Sequence, residues 1–573
     1  MGLIAVSLDG SPIPDVPDVD GDFDGPVAAA RHVLAATRNV VHNQIAHNLV
    51  VGNQIAHNGV SGDEQAVDEQ PVDEQPVDER VVDGRLVDER VVDGRLVDER
   101  VVDERALDAA AEAPLAIVAG TVAGAGAPGT ARCAAVGLSP LSGGVAETRA
   151  EGPYAAGLRK AGVTGIVLYG RASHPVCVVV TEGTARLEPA ADLWGLTTGA
   201  ATDRLLERHG ADAAVAVIGP AGERGVPYAS IITCRHHPLP RLGLGAVLGR
   251  KNVKAVVCVG DAVPPVADPA TVATIAAEYA EAARTDGLST WQHGMPGFGV
   301  WSGEPGYAPV AQFTDTSRRG GVGTVPDEIA RSATVAPCPG CPTDCIKVYA
   351  GAGLHQEALA MLGPGRGDPD PWPQLSVHEQ QGTDPVDASG TLTVRGVAIP
   401  PFDPRVQPNL GLAYVVAPIG PRYDIVEHDL DFDPAEGIPS AYPELAQLGV
   451  RVPRPRGELD VYRTAQLMRL WSGLDALGVC VFAATPTRPL TLRRVTDLVE
   501  AVTGRRPDVL ALGVTRLRLQ HEINTRLGVD KIGTLPDLFF TEPVRAGGRY
   551  AGAVLDRDAF TAAAQDLHDH LFS

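Results

Sequence analysis

At 573 residues the chain is long enough for two or three domains with sizeable cores, since single domains run to roughly 100–200 residues. Apolar residues make up 44% of it and aromatics only 5%, so those cores should be aliphatic, built from Ala, Val and Leu. The net charge of −23 argues against a nucleic-acid partner, and no stretch approaches the roughly 20 apolar residues of a membrane span.

The opening MGLIAVSLDGSP lacks the basic n-region of an export signal, so the expected location is the cytoplasm. Two repeats follow. NQIAHN occurs at 43–48 and again at 53–58, and a five-residue unit (VDEQP, VDERV, VDGRL) runs to about residue 107. Residues 63–108 hold 17 acidic and 6 basic side chains, about half of the net charge. A period of five matches neither helix nor strand, and one or two Val or Leu per unit bury too little to offset ordering entropy, so residues 62–108 are expected to be a disordered acidic insert. Residues 1–61 are expected to belong to the domain that follows the insert.

Short Val/Ile/Ala runs separated by glycines begin at Ala113: LAIVAGTVAG, GIVLYG, VCVVVTEG, AAVAVIGPAG and KAVVCVG. These predict strands and tight turns over 109–266, with helical stretches such as 152–161 between them. From residue 267 the pattern turns helical. Asp268 and Pro269 supply a cap and a first-turn proline for a helix whose face is Val272, Ile275, Tyr279 and Ala282. Thr491 caps a second, with Val495, Leu498, Val499 and Val502 inward and Gly504 past its end. A β-rich part followed by a mainly helical part, 267–573, predicts an α+β fold.

Eight cysteines without an export signal should be reduced thiols. Three fall in PCPGCPTDC, where Cys338, Cys341 and Cys345 have a C-x2-C-x3-C spacing that lets the chain wrap around one centre. Structural zinc would bring its last two ligands as a second close pair, and none is obvious. An iron–sulfur cluster accepts a distant fourth cysteine, for which Cys480 in GLDALGVCVF is the candidate. The alternatives are zinc at the triad and a merely buried Cys480.

Two further segments carry a family resemblance. RLGLGAVLGRKNVKAVVCVG, from Arg241, resembles the glycine-rich segment that ends the N-terminal domain of the aldehyde:ferredoxin oxidoreductases, and LWSGLDALGVC resembles their D-x-x-G-x-C motif. Weaker echoes are SPLSGG, IGPAGE, EALAMLGP and APIGPRYD, in family order over roughly 113–545. The resemblance implies an N-terminal β-rich pterin-binding domain followed by mainly helical domains. It further implies a [4Fe–4S] cluster on the four cysteines and a tungsten- or molybdenum-bis-pterin whose metal is held by dithiolene sulfurs. Arg132, Arg241, Gly243, Leu244, Gly245 and Asp475 would contact the pterins. The expected activity is oxidation of a small aldehyde-like substrate to a carboxylic acid, with electrons passed to a ferredoxin-like acceptor; association into a homo-oligomer is left open. Without the resemblance, Arg132 reads as a surface arginine and the glycines as packing.

The sequence also departs from the family. The first pterin motif survives only as Glu379, Gly382 and Asp384, with Glu in place of the first Asp, and the helical sequence expected after it is abbreviated. The family's acidic residue near the metal aligns with His355 and Glu357, and its histidine with Tyr423 or, after a short insertion, His428. Any of these moves a proton only if its pKa lies near working pH. An iron–sulfur protein of the same fold without pterin chemistry is the alternative function.

Overall fold

The computed structural model describes residues 2–13, 26–35, 81–82, 85–86, 90–92, 95–97, 99–285, 308–310, 313, 315–317, 334–343, 347–348, 392–400, 402–432, 442–447, 450, 457–484, 488–545 and 550–573. The glycine-punctuated apolar runs form two sheets. The five strands of the first lie in the order Gly2–Ser7, Val163–Tyr169, Leu115–Ala119, Arg132–Leu138, Val145–Glu151. Only the first pair is parallel; the others are antiparallel. The second sheet has six strands in the order Thr184–Pro189, Val176–Thr181, Val253–Val259, Ala214–Val217, Ile231–Thr233, His237–Leu239. The helix Tyr154–Lys160 lies between the two sheets and touches strands of both. Each run reads as continuous Val, Ile and Ala because it is covered on both faces, as Leu115, Ile117, Ile166 and Val256 show by their complete burial.

The helical part is organised on Val461–Leu477, which packs against Val509–Leu527, Arg557–Phe572 and Pro408–Val416. A second cluster joins Pro269–Thr285 to Leu492–Thr503. The predicted caps are in place. The Asp268 carboxylate accepts from the Thr271 N–H at 3.1 Å, the Thr491 hydroxyl accepts from the Arg494 N–H, and Gly504 closes its helix at a φ of +72°. Val272, Ile275 and Tyr279 are buried as their spacing requires. The architecture is α+β.

Most of the acidic repeat lies outside the described residues, and four short strands near its end are described. Val81–Val82 pairs with Arg85–Leu86 and Arg90–Val92 with Arg95–Val97, each across an Asp-Gly step, the sequence that favours tight hairpins. The helix Glu99–Glu112 then reaches into the β-rich part, where Leu107, Ala110 and Ala111 are buried and Arg250 pairs with Asp108. This helix packs on the β-rich part because ERALDAAAEA places its apolar residues at helical spacing.

The two parts meet where the end of Val461–Leu477 docks on the loop after Leu115–Ala119. Gly478 caps the helix at a φ of +68° and lies against Gly120, where an added Cβ would come within 2.7 Å of the Gly478 carbonyl oxygen. The Thr121 N–H donates to the Leu477 carbonyl at 2.9 Å and the Cys480 N–H to the Gly129 carbonyl at 3.1 Å.

Two stability predictions follow from this packing. Leu107→Ala should cost about 2–4 kcal/mol in urea unfolding, as for other buried leucines; a change within error would show that the helix is not packed. Gly120→Ala should cost about 2 kcal/mol by overpacking the junction. Gly199→Ala, which meets nothing closer than 3.6 Å inside the helix Thr198–His209, should be neutral or stabilising by up to about 1 kcal/mol. Equal effects at the two glycines would contradict the docking contact.

Candidate functional site at the junction

The strand Val145–Glu151 reads VAETRAE, yet it is buried along nearly its whole length, so Glu147 and Arg149 must be satisfied inside the protein. They are satisfied by the helical part. The Arg149 guanidinium lies 3.1 Å from Glu147, 3.1 Å from Asp424 and 2.8 Å from Asp475. Arg132, on the neighbouring strand, reaches Asp475 at 2.8 Å and Glu151 at 2.6 Å. Arg516 pairs with Glu147 at 2.7 Å, Arg422 binds Asp424 at 2.8 and 3.0 Å, and Gln520 donates to Glu147 at 3.0 Å. Four guanidiniums and four carboxylates thus form one buried layer between the sheet and the helices.

The electrostatics follow from that count. Burial opposes ionisation of Glu147, but Arg516 and Arg149 overcome it and hold the carboxyl down at about 2. Asp424 is held well below the usual carboxylate range in the same way, by Arg422 and Arg149 against burial. Burial pushes Asp475 up, while Arg149, Arg516 and Arg132 pull it down. The three guanidiniums around this carboxylate limit that rise but do not reverse it.

Asp475 and Arg132 therefore lie at one place, and Arg132 is 3% exposed rather than a surface arginine. Both Asp475 oxygens are taken, one by each arginine. The adjoining cavity, lined by Ser472, Asp475, Arg516, Gln520 and apolar neighbours, has room for about one water. The donor set suits an anionic, hydrogen-bonding cofactor, since cations and a carboxylate acceptor converge in a dry layer. Among the described residues, however, the space beside Asp475 is water-sized.

The segment from Arg241 begins with three left-handed residues, at φ of +64°, +58° and +73° for Arg241, Leu242 and Gly243. Arg241 is buried and donates to the carbonyls of Ala398 and Pro421, next to Arg422 of the ionic layer. Burial, with Arg422 close by, lowers its pKa to about 10. Gly243 backs onto the Pro227 carbonyl, an added Cβ at Gly245 would come within 2.6 and 2.5 Å of the Ala229 and Ser230 carbonyl oxygens, and Leu244 is fully buried in the core. These glycines are in close packing with the protein's own backbone.

Tyr423 and His428 belong to one cluster. The His428 Nε2 is 2.9 Å from the Tyr423 carbonyl, and both rings contact Phe402, with centroids 4.6 and 5.9 Å away. Burial pushes the Tyr423 hydroxyl well above its ordinary pKa, so it is a donor at neutral pH. Burial lowers His428 against the upward pull of the Tyr423 carbonyl, Glu427 and Asp429, which favours the neutral ring. With Nε2 donating to a carbonyl, the lone pair sits on Nδ1. Glu427 ties this cluster to the Asp475 helix by accepting from Trp471 Nε1 at 3.0 Å.

Cys338 and Cys341 lie on a turn closed by the Cys341 N–H donating to the Cys338 carbonyl at 3.1 Å. Gly340, at a φ of +77°, sets the turn against Gly126 and Ala127, and the Tyr279 and Thr343 hydroxyls hold it to the helix Pro269–Thr285 at 3.1 Å. Cys480 is anchored to Gly129 of the same loop, so one loop of the β-rich part carries both cysteine segments. Thiols on a glycine turn suit cluster ligation. Among the described residues no three Cys, His, Asp or Glu side chains converge as a ready metal site. Cys345, His355, Glu357, Glu379 and Asp384 lie outside the described residues.

Sequence reasoning missed Glu147, Arg149, Glu151, Arg422, Asp424, Arg516 and Gln520. A signal for the first two was available, in charged residues interrupting a run that is otherwise apolar. Arg422 and Asp424 stood inside the APIGPRYD echo.

The lowered carboxyls set an acid limit. A folded pKa below the unfolded one gives stability that is complete above about pH 4.5 and is lost as pH falls toward about 2, on the order of 3 kcal/mol for Glu147. Glu147→Gln should lower stability at pH 7 and make urea unfolding less pH-dependent between about pH 4.5 and 3. An unchanged slope would mean that Glu147 is not held in its ionised form by these arginines.

Residues 65–260 match the N-terminal domain of aldehyde ferredoxin oxidoreductase, and residues 381–569 match domains 2 and 3 of the same protein. The chain is 25% identical over 516 residues to a tungsten-containing aldehyde ferredoxin oxidoreductase of Pyrococcus horikoshii, covering 76% of this chain and 84% of that one. A tungsten-containing aldehyde ferredoxin oxidoreductase of Pyrococcus furiosus is 29% identical over 303 residues, and there the match spans about half of either chain, 49%. The fold is similar to that of the active-site complex BamBC of benzoyl coenzyme A reductase, at a TM-score of 0.55 and 17% identity over 80% of this chain and 90% of that one. The two domain matches, in the expected order, place the chain in the aldehyde ferredoxin oxidoreductase family of oxidoreductase enzymes.

Proposed function

We propose that the protein oxidises a small aldehyde-class substrate to the carboxylic acid at a tungsten- or molybdenum-bis-pterin and passes the electrons through a [4Fe–4S] cluster to a ferredoxin-like acceptor. The observation that carries this reading is the helix end at 475–480: Asp475 enters the buried arginine layer, and five residues on Cys480 is fixed to the loop that also seats the Cys338–Cys341 turn. One short segment thus ties the proposed pterin residues to the proposed cluster thiols. Cys338, Cys341, Cys345 and Cys480 would hold the cluster. Arg132, Asp475, the segment 241–245, Glu379 and Asp384 would hold the pterins.

When bound, the metal-pterin supplies a two-electron acceptor. Aldehyde and water give the acid with release of two electrons and two protons, so the chain must also move protons. His428 offers a neutral ring with its lone pair on Nδ1, and Tyr423 a protonated hydroxyl on a ring that packs on the same Phe402. His355 and Glu357 are the further candidates for this role.

A second reading, a cluster-bearing electron-transfer or binding protein without pterin chemistry, is favoured by the full engagement of Asp475 and the water-sized cavity beside it. Elemental analysis of the full chain purified without oxygen separates the readings. Roughly one W or Mo per four Fe is expected. Iron alone would favour the second reading, and zinc without iron would overturn both. Asp475→Asn should lower W or Mo and pterin content while leaving iron largely in place, since Cys480 is untouched. Unchanged metal content and activity in that variant would remove Asp475 from the pterin seat.

A further inference from the structure

The ionic layer leaves one polar group over. Gln520 is 1% exposed and donates from Nε2 to Glu147 Oε2 at 3.0 Å. That bond fixes the amide and turns its carbonyl Oε1 away from the carboxylate. Oε1 has no hydrogen-bond partner among the described residues, and a buried acceptor in that position costs free energy unless something supplies a donor. Gln520 lines the small cavity beside Asp475, together with Arg516, Ser472 and an apolar wall that includes Met468 and Leu517.

A second contact at the same cavity is incomplete. Arg516 is committed through Nε to Glu147 at 2.9 Å and through Nη1 to the Ser472 hydroxyl at 3.0 Å. Nη1 carries a second hydrogen and stands 3.6 Å from Asp475 Oδ2, too far for a direct hydrogen bond; polar gaps of this length are ones that water bridges. Oδ2 lies 2.8 Å from Arg149 Nη2, and a carboxyl oxygen has a second acceptor site. The Ser472 hydroxyl is spent on the Gly513 carbonyl at 3.0 Å. The cavity therefore offers one donor and two acceptors around about 10 Å³, near the smallest space that takes one water.

That pattern selects the occupant. A bare cation has nothing with which to accept from Arg516, and a halide has nothing to donate to Asp475 or Gln520. We propose that the cavity is a binding site for one ordered water, which accepts from Arg516 Nη1 and donates to Asp475 Oδ2 and Gln520 Oε1. Three hydrogen bonds are the usual complement of a buried water. Arg132 is held by Glu151 as well as Asp475, and Arg149 by Glu147 and Asp424. The water is thus the exchangeable partner of Asp475, and Gln520 is the residue that positions it.

The site uses only side chains of this chain, so it stands or falls apart from the pterin reading. High-resolution diffraction from the full chain should show one density peak within hydrogen-bond distance of Arg516 Nη1, Asp475 Oδ2 and Gln520 Oε1. Gln520→Met keeps the length of the side chain but not its acceptor. It should lose that peak, and the count of long-lived internal waters from magnetic relaxation of the water nuclei should fall by one. Met468→Leu, a volume-conserving change on the apolar wall, should keep both. The parent chain tests the site even where Gln520→Met fails to fold, because an ordered layer with no peak between the three atoms overturns the proposal. A peak that survives Gln520→Met, or is lost equally from Met468→Leu, overturns it too, since the polar partners would then not be what holds the water.

Discussion

The buried ionic layer constrains the rest of this structure. Charges taken out of water must be matched closely or the penalty exceeds the attraction, and removing one partner of such a set strands the other. Here the matching is divided between the two parts of the chain: Arg132, Glu147, Arg149 and Glu151 come from the sheet, and Arg422, Asp424, Asp475 and Arg516 from the helical part. Neither part can bury its half alone. The requirement fixes their mutual position more closely than apolar contact would, since apolar surfaces tolerate sliding and a bidentate guanidinium does not.

The Gly120–Gly478 contact is the steric counterpart of that requirement. It lets the end of the Asp475 helix approach until Asp475 reaches Arg132 and Cys480 reaches the Gly129 carbonyl. The same helix carries Trp471, which links it to Glu427 and so to His428 and Tyr423. Arginine layer, cysteine loop and histidine cluster are therefore all registered by one helix, Val461–Leu477. The proposed function would need an electron path and proton-handling groups held at fixed separation, which a single rigid element provides.

Much of the scaffold was legible. The strands announced themselves because Val/Ile runs between glycines have little alternative, and helices capped by Asp268 and Thr491 because cap, apolar spacing and terminating glycine agree. The motif at 475–480 was legible as a unit, and the structure brings its Asp475 to Arg132. What was not legible is tertiary. No local pattern says that Arg149 lies beside Asp475, more than 300 residues away, and a charged strand residue reads as solvated until its partners are known. The glycines of the Arg241 segment could not be apportioned between ligand and packing from spacing alone, because both uses ask for the same missing side chain. The helix Glu99–Glu112 was hidden for a similar reason: its end, ERALDAAAEA, has helical spacing but lies within the same charged stretch as the five-residue repeat.

In the proposed function, the helix end at 475–480 joins a metal-pterin seat to a cysteine-held cluster. Anomalous diffraction at the iron and tungsten edges from crystals of the anaerobically purified chain tests it most directly. The expected result is one iron cluster touched by the sulfurs of Cys338, Cys341, Cys345 and Cys480, with a separate tungsten peak, or molybdenum at its own edge, on the Asp475 side of the helix end. Cys480 sulfur more than about 10 Å from the other three, beyond any ligand-to-ligand span in a metal site, with no iron between them, would contradict it.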